Sequence, residues 1–267
     1  MDRNKKTSQP QAAQKQQEQQ AQKQQEQDVQ RIPKNLVEVK FSDGVRLSYF
    51  SDFSEIKKGD VVTVEGKLEK SVAVVTKVLK SFKKPKFDMR WITSIVDMNV
   101  EGHYYRIGED MVAFEHSLTA GKILTILTGE KYNENEGIGE DDLQIVLKDL
   151  ENSEVFDDEL IKMKGRALYK GNAVTYIYLK SGAGKAIVRG SQWYEIDFRY
   201  ENGVVTYLAC DCPYFGYCKH VYAFLLKLRE TLKQLSKAEK TDEFVLCQKQ
   251  CFHYILSYVK GKVTLEL

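Results

Sequence analysis

Cys210-Asp211-Cys212-Pro213-Tyr214-Phe215-Gly216-Tyr217-Cys218-Lys219-His220 is the stretch on which the fold turns. Three of the five cysteines and one of the four histidines of the 267-residue chain lie in it. A tetrahedral metal site needs four nitrogen or sulfur ligands. A Cys-x-Cys pair leaving a strand turns both sulfurs to one side, because strand side chains alternate. Pro213 and Gly216 bend the chain, and Cys218 and His220 return at the start of a helix, where the macrodipole helps hold a thiolate. Five cysteines are too few for a disulfide scaffold at this length, and clustered cysteines in a reducing compartment bind metal more often than they pair.

The flanks agree with this geometry. After the cluster, Val221, Phe224, Leu225, Leu228, Leu232 and Leu235 recur at spacings of three and four, one apolar stripe of a helix. Before it, alternating runs predict strands over 174–179, 186–189, 193–198 and 204–208. Ser181-Gly182-Ala183-Gly184 and Glu201-Asn202-Gly203 supply hairpin turns. The unit reads as a small antiparallel sheet feeding a metal-capped helix.

Cys-x-Cys, a short gap and then Cys-x-His resembles the SWIM zinc finger. Ala186-Ile187-Val188-Arg189-Gly190-Ser191-Gln192-Trp193-Tyr194-Glu195-Ile196 is similar to the strand pair before that finger, and Cys218-Lys219-His220-Val221-Tyr222-Ala223 to its helix start. The resemblance spans residues 161–235. It implies zinc as the cofactor and Cys210, Cys212, Cys218 and His220 as its ligands. Four protein ligands leave no open position for catalytic water, so the metal is expected to be structural. SWIM fingers occur in transposases, helicase-like remodelling ATPases and recombination proteins and are associated with DNA binding or protein contacts.

Charge is unevenly spread. The chain carries 40 Lys+Arg against 38 Asp+Glu. Residues 101–160 hold 4 basic and 16 acidic residues, whereas 161–240 hold 14 and 6. Within the basic unit, Lys185, Arg189, Lys219, Lys227 and Lys233 are the candidate phosphate-binding residues. The leading expectation is a non-enzymatic nucleic-acid (DNA)-binding accessory factor, with a helicase-like ATPase as one candidate protein partner. The alternative is a protein–protein interaction adaptor whose zinc site is purely structural. No catalytic constellation is visible.

Composition divides the rest. Residues 1–33 are a Gln-rich tail with no apolar stripe, expected to be disordered. Residues 34–100 carry short β-rich runs with regular turns, which predict a small SH3-like or OB-like barrel. Within that segment, Lys80 to Trp91 interleaves lysines with aromatics; a solvated hairpin tip whose phenylalanines cap the barrel is the simpler reading. The acidic segment 101–160 is read as helical, with helices over 117–127, capped by Ser117 or Thr119 and ended by Gly129, and over 141–150. Residues 241–267 are read as a closing helix and strand. The fold class is therefore α+β: barrel, acidic helical middle, then antiparallel sheet with a zinc-capped helix.

Several motifs fail on spacing. The loop 133–139 would place Tyr132 at the first ligand position of a calcium loop, where a carboxylate is needed. Ser181-Gly182-Ala183-Gly184-Lys185 lacks both the earlier glycine and the following Ser or Thr of a phosphate loop. On a helix, Cys247 and Cys251 share a face that His253 does not, so the two cysteines read as buried thiols. His103 and His116 lack partners at a recognised spacing. No signal peptide or membrane-spanning run is apparent, and the expected setting is the cytoplasm without membrane association.

Overall fold

The computed structural model describes residues 31–83, 85, 88–129, 143–214, 216–236 and 243–266. The tail 1–30 and the loop 133–139 lie outside the described residues.

Strands β1 (Asn35–Phe41), β2 (Arg46–Ser51), β3 (Val61–Val64), β4 (Ala73–Leu79) and β5 (Ile92–Val96) form one sheet in the order β2-β1-β4-β3-β5. Val37, Val39 and Phe41 alternate inward, and the Asp43 carboxylate accepts the Val45 amide in the turn to β2. The sheet curls but does not close into the expected barrel. Its edges meet at one bridge, Phe50 with Trp91, where the Phe50 amide donates to the Arg90 carbonyl over 2.9 Å. β2 ends and β5 begins one residue from that bridge, so no second rung forms. The rings of Phe82 and Trp91 pack on Phe50 and fill the seam.

The second sheet has nine strands: β6 (Gly102–Ile107), β7 (Asp110–Ala113), β8 (Ile145–Val146), β9 (Val174–Lys180), β10 (Ala183–Arg189), β11 (Trp193–Glu201), β12 (Val204–Cys210), β13 (Glu243–Gln248) and β14 (Val263–Glu266). Their order is β14-β6-β7-β13-β9-β10-β11-β12-β8. Neighbours are antiparallel except β14 and β6. The β9–β10 and β11–β12 hairpins turn through Ser181-Gly182 and Asn202-Gly203, each pair at positive φ, the geometry that matches the right-handed twist of the strands.

Four α-helices cover this sheet: α1 (Ala120–Thr128), α2 (Glu159–Lys170), α3 (Lys219–Leu235) and α4 (Lys249–Leu256). The predicted stripe of α3 is buried throughout and packs with Val188, Tyr194, Ile196 and Phe198 on one face of the sheet. Each such Leu or Phe contributes about 1.5–3 kcal/mol through burial. On the other face, Tyr176, Ile187, Val245 and Cys247 pack with α1 and α4, together with Val61 and Val72 of the first sheet. Lys260 adds an ion pair to Asp60 across the two sheets, at 2.9 Å.

The acidic segment departs from its helical reading. It supplies β6, β7 and β8, and a 3-10 helix over Leu147–Asn152 stands where a helix over 141–150 is expected. Leu143, Ile145 and Leu147 are buried with period two, and Ile145 and Val146 pair with Val205 and Val204. The first expected helix agrees closely with α1: the Thr119 side chain accepts the Lys122 amide, and Gly129 ends the helix at φ 73°. In the C-terminal segment β13 precedes the helix. Phe244 to Cys247 are all buried because both faces of the strand are covered: Phe244 and Leu246 pack with α3, and Val245 and Cys247 with α1 and α4. Among the described residues no helix is long and apolar enough to cross a membrane.

Candidate metal centre

β12 delivers the first two ligands. Cys210 pairs with Ile196 at the end of the strand, on the face that carries α3. Asp211 holds that end down: its carboxylate accepts the Glu195 amide at 3.0 Å and its own amide donates to the Glu195 carbonyl. Cys212 follows two residues later and is buried. The chain then turns through Gly216 at φ 99°. Cys218 is the N-cap of α3 and His220 lies in its first turn, 4% exposed.

The ligand atoms of Cys210, Cys212, Cys218 and His220 all lie within 4.8 Å of one another. His220 Nδ1 is 3.5 Å from Cys218 Sγ. The imidazole stacks on the Tyr194 ring at 4.3 Å between centroids, and its buried Nε2 has no hydrogen-bond partner. That nitrogen faces Gly190, where a Cβ would come within 2.5 Å. The Cys218 thiol is pulled down to about 4, chiefly by the Cys210 thiol that hydrogen-bonds to it. The Cys210 and Cys212 thiols are pushed up, the first by donating to Cys218 and the second by burial. Three cysteine sulfurs and an imidazole converging in one pocket can hold a metal ion.

α2 supports the loop from outside. Gly165 lets α2 cross close to α3: a Cβ there would come 2.8 Å from the Tyr222 ring and 3.0 Å from the Lys219 carbonyl. Phe156 meets Tyr222 edge-on and also packs on Tyr217. Gly165 and α2 are absent from the sequence reading. The available signal is a lone glycine inside a helical stretch, which marks close packing.

The five basic candidates do not form one surface. Lys185 is bound to Glu195 and Asp197 at 2.7 and 2.6 Å, and Lys227 to Asp110 at 2.6 Å. Arg189 lies opposite Trp193, over whose ring its guanidinium sits, on the sheet face away from α3. Lys219 is at the start of α3 and Lys233 is exposed in its last turn. Of the residues set aside, Cys247 and Cys251 are buried free thiols, and His103 contacts Glu266. Lys84, Lys86 and Phe87 of the basic–aromatic stretch lie outside the described residues.

Together these features define a mixed α+β protein with two sheets, in which a Cys3His cluster able to bind a metal stands where a sheet edge meets a helix start. No protein-family model, curated protein or solved structure matches the chain.

Proposed function

We propose that this protein is a non-enzymatic zinc-binding adaptor, in which a SWIM-like structural zinc site fixes the loop 210–220 and α3 as a surface for a partner protein. The observation that carries the zinc reading is the 3.5 Å between Cys218 Sγ and His220 Nδ1. Zinc–sulfur bonds of about 2.3 Å and zinc–nitrogen bonds of about 2.0–2.1 Å, at tetrahedral angles, separate two such ligands by about that distance. When bound, zinc would cross-link the end of β12 to the start of α3 and add folding free energy to this edge of the sheet. With four protein ligands no coordination position is left for substrate or water, which supports a structural rather than catalytic role. The ion pairs that occupy Lys185 and Lys227 favour a protein partner over a phosphate backbone.

Metal analysis of the purified chain should give one zinc per molecule. Cys218→Ala or chelation should abolish the near-ultraviolet circular dichroism and protease resistance of the 161–235 region. Full retention of both without zinc would sink the structural role. A partner should co-purify after nuclease treatment.

A nucleic-acid-binding accessory factor, with DNA the expected ligand, is the second reading. Lys219 and Lys233 on α3, each without an ion pair to a described residue, favour it. It requires affinity that falls steeply with salt.

A further inference from the structure

Beside the metal loop lies a cavity of about 240 Å³ between α2 and the start of α3. Its floor includes Cys212, Cys218 and His220, and its rim is Ile161 and Lys164 on one side and Pro213, Tyr214 and Lys219 on the other. Drug-sized ligands fill about 300–1,000 Å³, so this space suits one aliphatic or aromatic side chain.

The surroundings are apolar and basic at once. Tyr214 is 53% exposed, and Leu160 and Met163 on the neighbouring turn of α2 are 50% and 57% exposed. These are three of the most exposed large apolar side chains among the described residues; Tyr214 lines the cavity, and Leu160 and Met163 are the sequence neighbours of the lining residues Ile161 and Lys164 on α2. Lys164 on α2 and Lys219 on α3 both line it, and neither has an ion pair to a described residue. Among the described residues no Asp or Glu lines the cavity. Of the acids opening α2, Asp158 caps the helix by accepting the Leu160 amide, Glu159 pairs with Lys162, and Asp157 stands in solvent. Three thiolates and an imidazole on zinc would leave one net negative charge at the floor, which the two lysines outweigh. The charged side chains of the described lining are therefore both positive, and Asp211, next to Cys212, is engaged with the Glu195 backbone.

We propose that this groove docks an acidic peptide segment of a partner protein, which places one apolar side chain in the cavity and its carboxylates against Lys164 and Lys219. The aliphatic exposure of Leu160 and Met163 decides between macromolecules. Single-stranded nucleic acid is gripped by several stacking rings along a basic track, and among the described residues Tyr214 is the one exposed ring that lines the cavity. The inference rests on the adaptor reading above and names the partner's chemistry.

The test uses the full zinc-loaded chain against a displayed library of short peptides of random sequence. Peptides with a Leu, Met or Phe flanked by Asp or Glu should be enriched. Lys164→Glu with Lys219→Glu should weaken a selected peptide by about tenfold or more. Tyr214→Ala and Leu160→Ser should each weaken it while leaving the peptide's salt dependence in place. Zinc content is measured on every variant, so loss of the metal site is read separately from loss of docking. Enrichment without acidic bias, or equal binding by the double charge reversal with zinc retained, would overturn the proposal. So would binding of an oligothymidylate strand more tightly than any selected peptide, if the same two substitutions abolish it. That last result would assign the groove to nucleic acid and remove the adaptor reading with it.

Discussion

Gly190 lies so close to His220 that any Cβ at that position would come within 2.5 Å of the imidazole Nε2. The ring is held between this backbone and the face of Tyr194, which turns Nδ1 towards the sulfurs. Gly190→Ala should therefore displace a ligand without removing one. Partners that orient a metal-bound histidine typically matter by about 10–100-fold in metal affinity. Competition against a chromogenic chelator should show a loss of that size, and unchanged zinc affinity would mean the ring has room to move.

Gly165→Ala sets two effects against each other. Alanine is the better helix former by about 1 kcal/mol. Overpacking a close helix crossing costs about 1–3 kcal/mol. The obstruction includes the Lys219 carbonyl at 3.0 Å, which is backbone and yields little, so the clash should win. The urea midpoint should fall; a rise would show that α2 shifts freely over α3.

Asp110 and Lys227 form an ion pair whose side chains are 7% and 14% exposed. Burial pushes the Asp110 carboxyl up despite the ammonium beside it. Burial opposes the charge on Lys227 as well, but the hydrogen bond from its ammonium to Asp110 and the nearby carboxylates hold its pKa above the ordinary value. Removing Asp110 leaves the largely buried Lys227 with the more exposed Glu230 carboxylate at 3.3 Å alone, so Asp110→Ala should cost about 3 kcal/mol. Asp110→Leu with Lys227→Met should cost much less. Equal losses in the single and double variants, read from denaturant titration, would mean packing rather than charge dominates.

Glu151 receives both arms of the Arg229 guanidinium, at 2.7 and 2.8 Å, and this hydrogen bonding holds its carboxyl below the usual glutamate range. A depressed carboxyl contributes stability above its unfolded-state pKa and loses it as pH falls through the folded-state value. Acid should therefore weaken the link between the 3-10 helix and α3, and Glu151→Gln should flatten that part of the pH–stability curve. Both side chains are a third to a half exposed, so solvent screens the pair and the change is small. A variant curve that parallels the wild type from neutral pH into acid would refute the linkage.

The parts legible in the sequence are those where one periodicity acts alone. The α3 stripe reads correctly because its sheet-facing residues keep the helical spacing, although Tyr222, Ala223 and Leu226 outside the stripe are buried as well. The two hairpins read correctly because Ser181-Gly182 and Asn202-Gly203 have little choice of turn. The four ligands are legible because they sit within one short stretch. What sequence hides is set by distant partners. β6 carries Gly102-His103-Tyr104-Tyr105-Arg106-Ile107 without clean alternation, and it is a strand because β7 and β14 flank it. β8 is two residues long and exists through Val204 and Val205. Lys227 looks like a surface cation on its own helix until Asp110, 117 positions earlier, folds against it. The seam between Phe50 and Trp91 falls short of a closed barrel for reasons of strand length that turn signals do not carry.

β13 gives the large sheet a timetable. It lies between β7 and β9, so it alone joins the strands of 102–113 to those of 174–210. Yet it follows all four residues of the Cys3His cluster in the chain. As the polypeptide leaves the ribosome, all four ligands emerge before the strand that unites the sheet. Metal capture and the β9–β12 meander can thus precede assembly of the whole, while β6 and β7 wait with both outer edges unpaired. Contacts of such long sequence separation form slowly. In that interval the early capture of zinc would hold one half of the molecule ready for the strand that completes it.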